Sequence, residues 1–333
     1  MSEQNRIPTL DGWRAVAILL VLVAHYQANF YGRYFFSWLE IGHHGVSIFF
    51  VISGYLITTL LISAERIDLR RFYLRRLFRL MPAAWTYLLF LFLLTAFTRI
   101  KALDGDIWGC LFFYRNYLGE TATTMYTDHF WSLSLEEQFY LVWPPLLAML
   151  GRRRAGIVAV VAVVAIAVVR FLNWNNYNIH WATYDYDAPL TGCLLALALD
   201  REKVNLWFRN HGRVIFVPAL LIFLFDIWKF HMLIPFHECI AIALMIGATV
   251  TNPGLISSHV LENQHLKLTG LISYSIYLWQ QALLRPIWGF LGFFLLPIAA
   301  FISWKFIEQP GINLGRRLMA RKQPRKIPAV ENA

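Results

Sequence analysis

The sequence predicts an all-α polytopic membrane protein, a single bundle of about ten transmembrane helices with both termini cytoplasmic. Three observations lead there. Of the 333 residues, 58% are hydrophobic and only 15% are charged, with a mean hydropathy of +0.50. Apolar runs near the ~20 residues needed to cross a bilayer recur along the whole chain. Lys and Arg gather in short segments between alternate runs, the pattern of a positive-inside bias.

Taken in order, the candidate spans are 10–28, 44–62, 81–99, 132–150, 155–172, 188–200, 213–228, 236–251, 267–284 and 289–307. The first, LDGWRAVAILLVLVAHYQ, is too long for a signal-peptide core and no A-x-A-like site follows it, so it is expected to stay in the membrane. Between the third and fourth lies IWGCLFFYRNYL, readable as a re-entrant or interfacial helix or as an extra span, which would invert everything after it. With the N-terminus inside, the cytoplasmic segments hold Arg66, Arg70, Arg71, Arg75, Arg76 and Arg79, then Arg152 to Arg154, then Arg201, Lys203, Arg209 and Arg213. The other side keeps few cations, among them Arg33, Lys229 and Arg285. No repeat of fixed period is visible. Residues 1–308 read as one transmembrane domain and 309–333 as a basic cytoplasmic tail.

The net charge of +10 does not point to nucleic acid, because the cations form no binding stripe. Cys110, Cys193 and Cys239 are odd in number and lack CxxC spacing, so neither a disulfide framework nor a zinc site follows. No metal is expected. His43 and His44 lack further ligands at suitable spacing and read as solvated interfacial histidines.

Four stretches carry chemistry. In the first span, Arg14 and His25 stand eleven residues apart. That is about 16 Å along a helix and within about 20° in azimuth, so one face carries both. Charged groups are costly in lipid, so that face should meet protein or water; the alternative is Arg14 snorkelling to headgroups, with His25 at the far interface. GHHGVSIFFVISGYLITTLL places Gly42, Gly45 and Gly54 where helices can approach closely. RRFYLRRLFRLMP puts Arg76 and Arg79 on neighbouring rows of one helix face, suited to binding phosphate or, more plainly, to fixing topology. HFWSLSLEEQFYLVWPPLL opens a span with Glu136 and Glu137, and Glu136, Tyr140 and Trp143 recur at helical spacing. A carboxylate beside His25 would orient its imidazole and stabilise its protonated form, as a general base needs. A helix-start charge with interfacial aromatics explains the same residues more simply.

The blocks LDGWRAVAILLVLVAH, GVSIFFVISGYLI, FYLRRLFRLMP and WSLSLEEQFYLVWP resemble, in order, the motifs of the membrane acyltransferase-3 family. LISYSIYLWQQ and FISWKFIEQPGINLGRRL resemble its later stretches. The resemblance implies an acyl-CoA-dependent O-acyltransferase acting on sugars of bacterial envelope polysaccharide, lipopolysaccharide or secreted glycans, in the cytoplasmic (inner) membrane. It puts the family's Arg and His on Arg14 and His25, its paired arginines on Arg76 and Arg79, and its W-S-L-x-x-E on Trp131, Ser132 and Glu136. Gln280 stands where many relatives have His, and 183–195 lacks an arginine often found there. No soluble hydrolase-like segment is expected after the bundle.

The expected reaction uses acyl-CoA, acetyl-CoA by default, as co-substrate with no tightly bound cofactor. Arg76, Arg79 and Arg14 hold its phosphates, and His25, supported by Glu136, takes a proton from a glycan hydroxyl. Trp131, Ser132 and Tyr140 line the substrate pocket. Direct attack on the thioester is preferred over a covalent acyl-histidine or acyl-serine through Ser132 or Ser134. A transporter or flippase is the rival, but it predicts broken helices in paired repeats, and none is apparent.

Overall fold

The computed structural model describes residues 7–30, 41–98, 101, 105–118, 124–172, 185–229 and 236–320. All regular structure among them is helical. The long helices are α1 (Pro8–Phe30), α2 (Gly42–Ile62), α3 (Leu69–Phe97), α5 (Phe130–Leu172) and α7 (Glu202–Lys229). Shorter ones are α4 (Ile107–Leu111), α6 (Asp187–Leu199), α8 (Phe236–Thr251), α9 (Ile256–Leu261), α10 (Gln264–Leu271), α11 (Ser273–Leu283), α12 (Leu291–Ser303) and α13 (Gln309–Ala320). Among the described residues, six stretches are long and apolar enough to cross a membrane: Pro8–Tyr26, Gly42–Ile62, Leu69–Phe97, Phe130–Leu172, Glu202–Trp228 and Leu291–Met319. Leu89 and Phe92 of α3, Val161 and Phe171 of α5, Leu221 of α7 and Phe294 of α12 are exposed, the outward apolar surface that lipid covers.

Several boundaries differ from the sequence reading, each for a local reason. The arginine-rich stretch and the third span form one helix, α3, started by Asp68, whose carboxylate accepts from the Arg71 N–H at 2.9 Å. Pro82 sits inside it without breaking it; its missing N–H leaves the Phe78 carbonyl outside the helical ladder. Gly311 of α13 packs against that carbonyl, where a Cβ would not fit. Residues 309–320, read as the start of a basic tail, are thus a helix seated on α3, reached through a π-helical turn at Trp304–Glu308. Residues 321–333 lie outside the described part.

The spans read at 132–150 and 155–172 are two limbs of α5, separated at Gly151, whose φ of +71° is open to glycine at little cost. The chain reverses there. On the first limb, Glu136 and Trp143 meet Ser53 and Thr58 in order along α2; on the second, Arg152 reaches Asp200 past the end of α6 and Arg170 reaches Asp187 at its start. IWGCLFFYRNYL contains only the five-residue α4 and a turn of 3-10 helix at Arg115–Tyr117, too short to cross a bilayer.

The close crossing of α2 and α6 fixes the centre of the bundle. Gly54 lies against the Pro189 carbonyl and Gly192 against that of Val51, so each helix uses a glycine to admit the other's backbone. All three cysteines are buried as free thiols.

Candidate active site

Helix α1 settles which way its polar stripe faces. Ala17, Ile18 and Val21 are fully buried, whereas Leu19 and Val23 are 44% and 42% exposed. Measured from Arg14, His25 lies about 20° around the helix, and Leu19 and Val23 about 140° and 180°. Arg14 and His25 therefore leave the side opposite the exposed stripe and point into the bundle.

At the arginine end of that stripe, the Arg14 guanidinium donates to Asp11 at 2.8 Å. Arg14, Arg76 and Glu308 each lie within electrostatic reach of Arg79. Arg76 is already engaged: it donates to Glu136 at 3.0 Å, lies 3.6 Å from Glu137, and stacks 3.4 Å from the Tyr140 ring centre. Arg79 makes no hydrogen bond or close ion pair among the described residues, and its side chain is exposed. Of the three predicted phosphate ligands, Arg79 and Arg14 have donors to offer, while Arg76 is held by carboxylates. Tyr274 links this end to α11, its hydroxyl donating to the Leu80 carbonyl at 2.9 Å.

Glu136 does not sit beside His25. Its Oε1 accepts from Ser53 at 2.5 Å, from Arg76 and from the Tyr140 hydroxyl. Its place, two helical turns into α5, brings it to the arginine end. The partnership expected between Glu136 and His25 is replaced by an ion pair with Arg76.

At the other end, His25 Nδ1 lies 2.9 Å from the Val21 carbonyl one turn back. As the donor in that bond, Nδ1 carries the hydrogen and Nε2 keeps its lone pair for an incoming proton. Around His25, within electrostatic reach, stand Asp128, His129, His43 and Arg285. Arg285 donates to the Met125 and Gln281 carbonyls.

The family model described as an acyltransferase domain matches residues 7–307, which takes in both ends of this stripe. The chain belongs to the acyltransferase-3 family. It is 29% identical over 358 residues to the O-acetyltransferase OatA of Staphylococcus aureus, covering 93% of this chain and 58% of that protein. It is 25% identical over 359 residues to the peptidoglycan O-acetyltransferase OatA of Listeria monocytogenes, covering 92% of this chain and 56% of that one. The chain thus spans little more than half the length of these relatives. No solved structure matches it.

Within this acyltransferase-3 bundle, the other predicted pocket residues are mostly inward and occupied. The Ser132 hydroxyl bonds the His129 carbonyl at 3.0 Å and the Tyr277 hydroxyl at 2.5 Å. Ser134 is fully buried and accepts from the Arg115 N–H at 3.2 Å. Trp131 is buried, its ring 5.8 Å from that of His43 and 6.3 Å from Phe50. Tyr140 belongs to the Arg76 cluster and Trp143 to the core, donating to Thr58 at 2.8 Å.

One histidine reading is corrected. His44 is not solvated: it is 1% exposed, with Nδ1 2.9 Å from the fully buried Glu238 carboxylate. Its partner comes from α8, 194 residues away, which no local pattern reveals. Among the described residues, no group of three or more ligating side chains is placed to hold a metal. The stretch at 173–184, including the first two residues of the segment noted for its missing arginine, lies outside the described residues.

Two buried polar residues received no proton-handling role from the sequence. His129 has both ring nitrogens unpaired, and Gln280 has both carboxamide atoms unpaired at 0% exposure. The available signal was a polar residue at the mouth of an apolar run and a second one within YLWQQ.

Proposed function

We propose that this chain is an integral membrane O-acyltransferase of the bacterial cytoplasmic membrane. It moves an acyl group, acetyl by default, from cytoplasmic acyl-CoA to a hydroxyl of an extracytoplasmic or lipid-linked glycan. The observation that carries this is the inward stripe of α1, with Arg14 among cations at one end and His25, its Nε2 unprotonated, at the other. Membership in the acyltransferase-3 family gives that stripe its chemistry.

The arginine end is cytoplasmic in this reading. The two limbs of α5, the shorter apolar helices α6 and α8, and the broken pair α10–α11 bring the passes to about ten, with both termini inside. CoA phosphates meet Arg79 and Arg14, whose forked donors suit them. Arg76, neutralised by Glu136 and Glu137, braces α3 against α5 and keeps Arg79 at the mouth. The acyl-pantetheine arm then follows α1 for the ~16 Å from Arg14 to His25.

His25 acts as the general base. Its Nε2 takes the hydroxyl proton as the oxygen attacks the thioester carbon, and the departing thiolate recovers that proton. The Val21 carbonyl fixes the tautomer, and Asp128 supplies the nearby negative charge first assigned to Glu136. Direct transfer fits better than an acyl-serine, because Ser132 and Ser134 are both committed to structural hydrogen bonds. Peptidoglycan, named for the Listeria relative, is the first acceptor to try.

The test uses purified protein in liposomes with acetyl-CoA and glycan fragments, following free CoA and acetylated product. Transfer that His25→Ala abolishes supports the reading. CoA release without ester formation, or undiminished transfer by His25→Ala, overturns it.

A further inference from the structure

Buried polar atoms are almost always hydrogen-bonded, so a concentration of unmet ones inside a protein asks for a missing partner. The region beside His25 has such a concentration. His129 is 1% exposed, and neither Nδ1 nor Nε2 has a hydrogen-bond partner. Its ring is walled by Phe130 at 5.0 Å, Tyr87 at 5.3 Å and Tyr277 at 5.4 Å between ring centres. The Tyr277 hydroxyl is taken by Ser132, and that of Tyr87 by the Tyr126 carbonyl at 2.7 Å. Neither is left over for the imidazole. Three residues along α11 from Tyr277, on the same helical face, Gln280 is fully buried with Oε1 and Nε2 both unpaired. Trp279, whose ring lies 5.5 Å from Tyr87, has an unpaired Nε1 as well.

Edge contacts with aromatic rings are too weak to compensate for an imidazole and a carboxamide stripped of water. Enclosure decides what the partner is. A glycan enters from solvent and is met by side chains that solvent can reach. Groups this enclosed meet only what threads the interior, which on the functional reading above is the acyl end of the donor arm. Burial among the three rings, with the cations Arg115 and Arg285 nearby, keeps His129 neutral. A neutral imidazole in a water-poor cage, offering one N–H, suits an oxygen that becomes negative during reaction.

We propose that His129, with the Gln280 carboxamide as a second donor, binds the thioester carbonyl oxygen and stabilises its oxyanion during transfer. The proposal rests on the acyl-CoA reading. As His25 Nε2 removes the hydroxyl proton, the hydroxyl oxygen bonds to the carbonyl carbon and the carbonyl electron pair moves onto oxygen, where the two N–H groups meet it. That pair returns as the C–S bond breaks, and the thiolate takes the proton from His25.

The experiment compares His129→Phe, which fills the cage without a donor, His129→Gln, which keeps one, and Gln280→Leu, all as full chains in liposomes. His129→Phe should lower kcat about 100-fold or more, the scale of a lost oxyanion donor, while the KM for acetyl-CoA rises only by the several-fold that the lost ground-state contact accounts for. His129→Gln should recover most of that loss, which a purely structural role would not predict. Independently of turnover, titration calorimetry should find that wild type binds acetyl-CoA several-fold more tightly than CoA. His129→Phe and Gln280→Leu should erase that preference while leaving CoA affinity intact. Should His129→Phe not fold, the binding preference in Gln280→Leu and His129→Gln decides. Wild-type transfer with an equally fast, folded His129→Phe, or a preference for acetyl-CoA that survives His129→Phe or Gln280→Leu, overturns this proposal alone. A wild type that transfers nothing and ignores CoA overturns the functional reading, and this one with it.

Discussion

Removing Glu136 should damage the protein through Arg76, not through His25. The pair is 3.0 Å apart with side chains 15% and 19% exposed, and Arg76 also lies on the Tyr140 ring. Breaking a fully buried pair by deleting one partner costs about 3–5 kcal/mol. Partial exposure screens some of this, and Glu137 at 3.6 Å remains as a fallback for the guanidinium. Glu136→Ala is therefore expected to cost about 2–3 kcal/mol, and Arg76→Ala a similar amount, since it strands a carboxylate that keeps only Ser53 and Tyr140. Because both changes remove the same contact, the double variant should cost about 1–2 kcal/mol less than the sum of the singles. Denaturant unfolding of all four proteins in mixed micelles measures this. In the same set, Glu136→Gln should leave the pH of half-maximal transfer where wild type has it. Strictly additive single losses, or a pH profile displaced by Glu136→Gln, would refute the assignment of Glu136 to Arg76.

Three further outcomes are expected. Arg79→Ala should raise the KM for acetyl-CoA about tenfold with kcat nearly unchanged, and Arg14→Ala should act alike, since each offers charge-assisted donors to phosphate; a fall confined to kcat in initial-rate measurements contradicts the phosphate role. Ser132→Ala should keep transfer within about tenfold of wild type, because its hydroxyl ties Tyr277 to the His129 carbonyl and forms no covalent intermediate; an inactive, folded Ser132→Ala would restore the acyl-serine route. Leucine at Gly54 or Gly192 should prevent the close α2–α6 crossing and lose the folded protein in size-exclusion chromatography; a monodisperse, active variant would mean that the crossing can open.

The sequence conveys some of this well and some of it poorly, along a physical line. Periodicity is local: eleven residues on one helix suffice to align Arg14 with His25, and the run from Leu10 to Gln27 suffices to place both in one span. Glycines at 45 and 54 announce close packing without naming their neighbours. Tertiary pairing is not local. Nothing in WSLSLEEQ tells that Glu136 turns toward Arg76, 60 residues earlier, instead of toward His25. His44 reads as an interfacial residue until α8 brings Glu238 against it. The Arg-rich segment lies outside the span read at 81–99 because its charges end the apolar run, yet both belong to one helix through Pro82, and Gly311 packs at the carbonyl that proline leaves unpaired. His129 passes unnoticed, and Gln280 is noted only for departing from the family's His, because a missing hydrogen bond is a property of the packed interior.

Oriented proteoliposomes test the central claim most directly, that one inward stripe joins a donor on the arginine side to an acceptor on the other. With labelled acetyl-CoA confined to the face bearing Arg79 and glycan fragments confined to the opposite face, label should appear on the glycan, and His25→Ala should stop it. Transfer only when donor and acceptor share one compartment, or equal transfer from a donor placed on either face, would contradict the account.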